Sequence, residues 1–170
     1  MCEIASFIVT KNKVLWLENE NSHTKILEKH GLKDDSENPD FVRVEISPEN
    51  YNYGLPLERW QYNVDQDFLP DWYCAEEAEI ATRTELEKWA AVHIIRGGEF
   101  TVEEGMFRIF TDNSTGTVNG GEASFYHNST GAVNSGAARF FDNSTGTVNG
   151  GEAIFFTTTA KRLTRRANNV

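Results

Sequence analysis

NSTGTVNGGEASFYH (113–127), NSTGAVNSGAARFFD (128–142) and NSTGTVNGGEAIFFT (143–157) are consecutive fifteen-residue segments that differ at only a few positions. A short, strict period predicts that equivalent residues stack on one another. The columns it would build are Asn113/Asn128/Asn143, Val118/Val133/Val148, Ala123/Ala138/Ala153 and Phe125/Phe140/Phe155. In a coiled β-solenoid successive rungs lie about 4.8 Å apart. Asparagines would then hydrogen-bond along the stack and phenylalanines would stack inside it. Glycines 116, 131 and 146, and 121, 136 and 151, are expected to supply the corners. A worn copy, GEFTVEEGMFRIFTD (98–112), places Phe110 in the phenylalanine column.

Fifteen residues divide into three sides of five, so a three-sided coil is expected. The five-residue spacing of Ala123, Asn128, Val133, Ala138, Asn143 and Val148 resembles pentapeptide-repeat and related short-repeat β-helices over about residues 98–157. Phe fills that family's leucine position only once per turn, which argues against a four-sided coil. The competing reading is a meander of hairpins with NSTG and NGG as turns. The Thr115/Thr117 and Thr145/Thr147 pairs resemble insect antifreeze solenoids, although Ala132 interrupts the array.

Upstream, the pattern is mixed. SFIVTKNKVLWL (6–17) reads as two strands around Lys11-Asn12-Lys13, and FVRVEI (41–46) alternates with Val42, Val44 and Ile46 inward. LERWQYNV (57–64) alternates likewise, with Trp60, Tyr62 and Val64 on one face. Ser22 suits an N-cap and Gly31 a C-terminal cap for a helix ending at His30. A second helix is expected from Ala75, with Ala78, Ala81, Trp89 and Val92 on its packed face and Glu79–Arg83 and Arg83–Glu87 as i,i+4 pairs. The predicted organisation is an acidic α+β domain (1–96), an all-β solenoid of fifteen-residue repeats (97–160) and a basic tail (161–170).

Charge follows that division. Residues 1–95 hold 19 acids against 9 Lys and Arg, whereas the tail carries Lys161, Arg162, Arg165 and Arg166. An acidic body repels phosphate backbones, so DNA or RNA is not an expected partner; a basic protein surface is. The segment MCEIASFIV lacks the basic start of a signal peptide, no stretch reaches membrane-spanning length, and Cys2 and Cys74 make no disulfide framework. Free thiols in a reducing cytoplasm are the expectation, and the Asn-Ser-Thr triplets then serve structure rather than glycosylation.

No catalytic pattern emerges. Cys2 could act as an N-terminal nucleophile, and MCEIASF resembles the MCGI opening of N-terminal-nucleophile glutamine amidotransferases, but Glu3 stands where that family has Gly. Asp65, Asp67 and Asp71 could hold Ca²⁺, although the twelve-residue calcium loop is absent. His23, His30, His93 and His127 lack metal-ligand spacing, and no phosphate loop is present, so neither a metal nor a cofactor is expected. The carboxylates Asp34, Asp35, Glu37, Asp65, Asp67 and Asp71, with the aromatics Tyr51, Tyr53, Trp72 and Tyr73, form the expected protein-binding set. Ile154, Phe155 and Phe156 close the last repeat and are expected to pair two copies end to end.

The opening, the segment WQYNVDQDFLPDWY (60–73) and the terminal repeats together resemble uncharacterised proteins encoded by phages and other mobile elements. That resemblance implies no known activity. It implies a setting in the cytoplasm of a bacterial host and a role in blocking a defence complex, as anti-CRISPR proteins do.

Overall fold

The computed structural model describes residues 5–33 and 40–156, and the backbone of 161–163. The chain divides into two compact units, Met1–Ala91 and Val92–Val170.

The first unit is built on a four-stranded antiparallel sheet of order β2-β1-β3-β4, comprising β1 (Ala5–Thr10), β2 (Val14–Leu15), β3 (Phe41–Ser47) and β4 (Gln61–Val64). Directly opposed residues share a face. Phe7 opposes Val44 and Val9 opposes Val42, and all four are buried. On the other face Ile8 and Phe41 pack with Leu15, Ile26 and Leu27, the last two from helix α1 (His23–His30). α1 ends as its sequence predicts: Gly31 has φ 64°, and the Leu32 N–H donates to the Leu27 carbonyl at 3.0 Å.

Helix α2 (Ala75–His93) departs from the expected face. Ala78, Thr82, Leu86, Trp89 and His93 are its buried residues, whereas Ala81 is exposed. Trp60 stands edge-on to Trp89 at 6.4 Å and to Tyr53 at 5.5 Å. The Arg83 guanidinium donates to Glu79 at 2.8 Å and to the Leu57 and Trp60 carbonyls, joining α2 to the turn before β4. The predicted long strand at 57–64 is therefore a 3-10 turn (Leu57–Arg59) followed by a short edge strand. Val64, expected inward, is 37% exposed at the end of β4, the edge strand of the sheet.

The second unit is a β-solenoid. Its strands are β5 (Ile94–Arg96), β6 (Glu99–Val102), β7 (Phe107–Thr111), β8 (Thr115–Phe125), β9 (Thr130–Phe140), β10 (Thr145–Val148), β11 (Glu152–Phe155) and β12 (Lys161–Leu163). All pair in parallel, most with a fifteen-residue offset such as Thr115↔Thr130 and Phe125↔Phe140. Parallel pairing with this register excludes the hairpin meander.

Each coil has two strand-bearing sides, TGTV and EASF in the copy at 113–127, rather than the expected three. The reason lies in the phenylalanine column. Phe110, Phe125, Phe140 and Phe155 stack with centroids 4.7 Å apart and rings within 10° of parallel. The rings lie flat across the coil against the opposite strand. At Gly131 an added Cβ would sit 2.7 Å from Phe125 Cζ and 2.8 Å from Phe140 Cε1, and Gly116 and Gly146 meet the same obstruction. These glycines are not corners. They are mid-strand residues of ordinary φ that make room for a ring. At the second position Gly136 and Gly151 do bend the chain, with φ 81° and 73°, whereas Gly121 lies within β8 without a positive φ.

The first coil solves the same packing problem in reverse. Ile95 pairs with Phe110, and Phe100 pairs with Gly116. The ring now stands on the glycine side, and Ile95 and Phe100, both partly buried, pack against the core of the coil.

The hydrogen-bonded asparagine ladder also falls elsewhere than expected. Asn134 Nδ2 donates to Asn119 Oδ1 at 2.9 Å, and Asn149 Nδ2 to Asn134 Oδ1 at 2.8 Å. Asn113 and Asn128 instead hold left-handed corner conformations, φ 63° and 61°, which asparagine tolerates better than most residues. In the NST triplet the serine turns inward: Ser114, Ser129 and Ser144 are fully buried, and Ser129 and Ser144 Oγ each donate 2.6 Å to a corner carbonyl. The threonine points outward, and Thr130 and Thr145 hydroxyls pair at 3.2 Å.

Candidate functional site

In the first unit, three of the exposed large apolar side chains and three exposed aspartates share one segment, while Ile80 and Tyr51 are exposed elsewhere. Val64, Phe68 (60% exposed) and Leu69 (48% exposed) alternate with exposed Asp65, Asp67 and Asp71. An apolar residue on the surface is ordinary, but three within six positions and interleaved with carboxylates form a patch. The segment is held by Gln66, which accepts from the Arg43 N–H at 2.8 Å and donates to the carbonyls of Phe41 and Phe68. Phe68 is thus anchored through its backbone while its ring stands in solvent.

The other expected contact residues separate into two groups. Tyr51 is 52% exposed, with its backbone in the left-handed region at φ 56°, a strained setting for a bulky residue. Trp72 and Tyr73 are half-buried and edge-on to each other at 6.4 Å. Tyr73 Oη lies 3.2 Å from Tyr62 Oη, and burial followed by this hydrogen bond pushes the Tyr62 phenol well above its usual range. Tyr53 is a correction: it is fully buried against Trp60 and belongs to the core, so it cannot touch a partner of the folded chain. Asp34, Asp35, Glu37 and Cys2 lie outside the described residues.

Behind the acidic segment is a second arrangement that local sequence spacing did not reveal. Asp65 donates its N–H to the Arg43 carbonyl at 2.9 Å and so lies diagonal to Glu45 on one face of the sheet. His23, at the start of α1, reaches the same place: its Nδ1 is 3.4 Å from Asp65 Oδ2, and its Nε2 is 3.0 Å from the Val44 carbonyl. Burial raises the Glu45 carboxyl above its ordinary pKa, and the Asp65 charge adds to the effect.

Elsewhere, an open cavity of about 380 Å³ is lined by Val9, Val14, Trp72, Cys74, Ala78 and Ala81, and Cys74 is an exposed free thiol. At the end of the coil Ile154 and Phe156 are each 53% exposed, and Phe155 stacks on Phe140 at 4.7 Å. A second ring column, Tyr126, Phe141 and Phe156, runs beside the first at 4.5 and 4.6 Å.

No protein-family model, curated protein or solved structure matches the chain. Among the described residues, no helix is long and apolar enough to cross a membrane.

Proposed function

We propose that this is a non-enzymatic binding protein whose first unit occupies a basic, nucleic-acid-handling surface of a larger complex through the segment from Val64 to Trp72. The observation that supports this most is the interleaving of exposed Val64, Phe68 and Leu69 with exposed Asp65, Asp67 and Asp71. Aromatic and aliphatic anchors supply desolvation, while the carboxylates select a cationic face and steer its approach. In its narrower form the reading is a phage-encoded inhibitor of a bacterial defence complex, supported by the resemblance of residues 60–73 to proteins of phages and mobile elements. The repeats contribute a rigid module whose outward Thr and Asn columns carry no charge.

The test is capture of host proteins by the full chain at low and high salt, followed by affinity measurement on the partner identified. Phe68→Ala should weaken binding by at least tenfold, the loss typical of an anchor at the centre of an interface. Asp67→Lys with Asp71→Lys should lower the association rate and flatten its salt dependence. Binding that ignores salt and survives both changes would refute this reading.

A second reading, self-association through the coil end, draws support from the 53% exposure of Ile154 and Phe156. Light scattering that shows only monomer over a wide concentration range would exclude it.

A further inference from the structure

We infer that His23, Glu45 and Asp65 form a binding site for a first-row divalent cation of the zinc type. Their ligand atoms lie within 4.8 Å of one another, although the residues come from three separate elements. A site of this kind has recognisable requirements, and the geometry meets four of them.

The first is ligand chemistry. One imidazole and two carboxylates are the nitrogen and oxygen donors that zinc accepts, with water completing the shell. The second is the histidine tautomer. His23 Nε2 lies 3.0 Å from the Val44 carbonyl, which can only accept, so that nitrogen carries the proton and donates it. In the neutral ring this leaves the Nδ1 lone pair aimed at the carboxylates. A metal-bound histidine is characteristically held by such an outward hydrogen bond to a backbone carbonyl.

The third is spacing. Two ligands about 2.0–2.2 Å from a tetrahedral zinc stand roughly 3.4 Å from each other. His23 Nδ1 and Asp65 Oδ2 are 3.4 Å apart. A lone pair facing a carboxylate oxygen at that distance is repulsive unless a proton or a metal cation lies between them. The fourth is support. Glu45 sits on β3, which is paired on both sides, and Asp65 is fixed by its N–H bond to Arg43. The His23 side chain is 11% exposed and Asp65 56%, which leaves an entry path on the carboxylate side. Arg43, on the same sheet face, has its guanidinium over the Phe41 ring at 5.1 Å.

The alternative occupant is a proton, giving an imidazolium paired with Asp65. Calorimetric titration of Zn²⁺ into the chelator-stripped full chain decides between them. The expected result is one saturable site, weakened at least tenfold in each of His23→Gln, Glu45→Gln and Asp65→Asn, with circular dichroism confirming that each variant is folded. Co²⁺ at the same site should give visible absorption that the three variants lose. Absence of Zn²⁺ binding, or binding unchanged in all three folded variants, would overturn the inference and leave the imidazolium pair. Should a variant fail to fold, the Co²⁺ spectrum of the unaltered chain still decides: bands of an oxygen-and-nitrogen ligand set support the site, and thiolate charge-transfer bands or no bands reject it.

Discussion

Replacing Phe125 with alanine is expected to cost the coil about 3–5 kcal/mol, the range for deleting a fully buried phenylalanine ring. Phe125 should fall at the upper end. It is fully buried, and its ring stacks at 4.7 Å on Phe110 on one side and Phe140 on the other. The walls across from it are Gly116 and Gly131, which have no side chain with which to fill the void. Surrounding atoms can collapse little when the backbone on both sides is fixed by parallel pairing. Phe155→Ala should cost less, because Phe155 has one stacking neighbour, Phe140, among the described residues. Urea unfolding followed by far-ultraviolet circular dichroism measures both, and equal losses at the two positions would show that stacking from both sides is not what holds the column.

The second large effect is expected at Gly131→Ala, where a single methyl group should destabilise the coil by about 1–3 kcal/mol through overpacking. The usual expectation is opposite in sign, since alanine in place of a strand glycine of ordinary φ reduces unfolded-chain entropy. Here the new Cβ would meet two rings within 2.8 Å. Thr130→Ala, one residue away and facing solvent, should change stability by no more than about 0.5 kcal/mol. Combining Gly131→Ala with Phe125→Leu should cost less than the sum of the two, because the smaller side chain relieves the clash. Additive losses would place the cause elsewhere.

The sequence made the period legible, and with it the columns of Val118 and Val133, Ala123 and Ala138, and the phenylalanines. These positions pair in the structure as the alignment places them. It also bounded α1: Gly31 takes the left-handed turn that ends a helix locally, and Ser22 stands at the N-cap position, although its side chain makes no capping hydrogen bond. The role of Gly116, Gly131 and Gly146 was not legible. A glycine that bends the chain and one that clears space for a ring are the same letter, and the difference lies in what faces it across the coil. The asparagine ladder was misplaced for a related reason. Both Asn rows repeat equally well, and only the left-handed backbone at Asn113 and Asn128 turns one of them into corners.

In the first unit, long-range packing decided what local pattern could not. Tyr53 sits in an acidic, aromatic stretch that reads as surface, yet it is fully buried edge-on to Trp60, which in turn stands edge-on to Trp89. His23, Glu45 and Asp65 form no motif because they are about twenty residues apart in sequence, and the antiparallel register of β3 with β4 brings two of them together. The available signal was modest: Glu45 falls on the face of FVRVEIS opposite Val42, Val44 and Ile46, so it needed a polar neighbour. The acidic loop at 65–71, by contrast, could be read directly, because its proline and aspartates exclude it from a sheet interior.

The most direct test of the column architecture is removal of one whole repeat. Deleting residues 128–142 should bring the copy at 143–157 onto the copy at 113–127 with every column intact, Phe155 stacking on Phe125 and Gly146 facing the ring below it. The account predicts a shortened coil that still unfolds cooperatively, whereas deleting only residues 128–139 should disrupt the coil, since Phe155 would then follow Phe125 by eighteen residues and the fifteen-residue step would put Glu152 into the phenylalanine column. Equal damage from the two deletions would contradict the account.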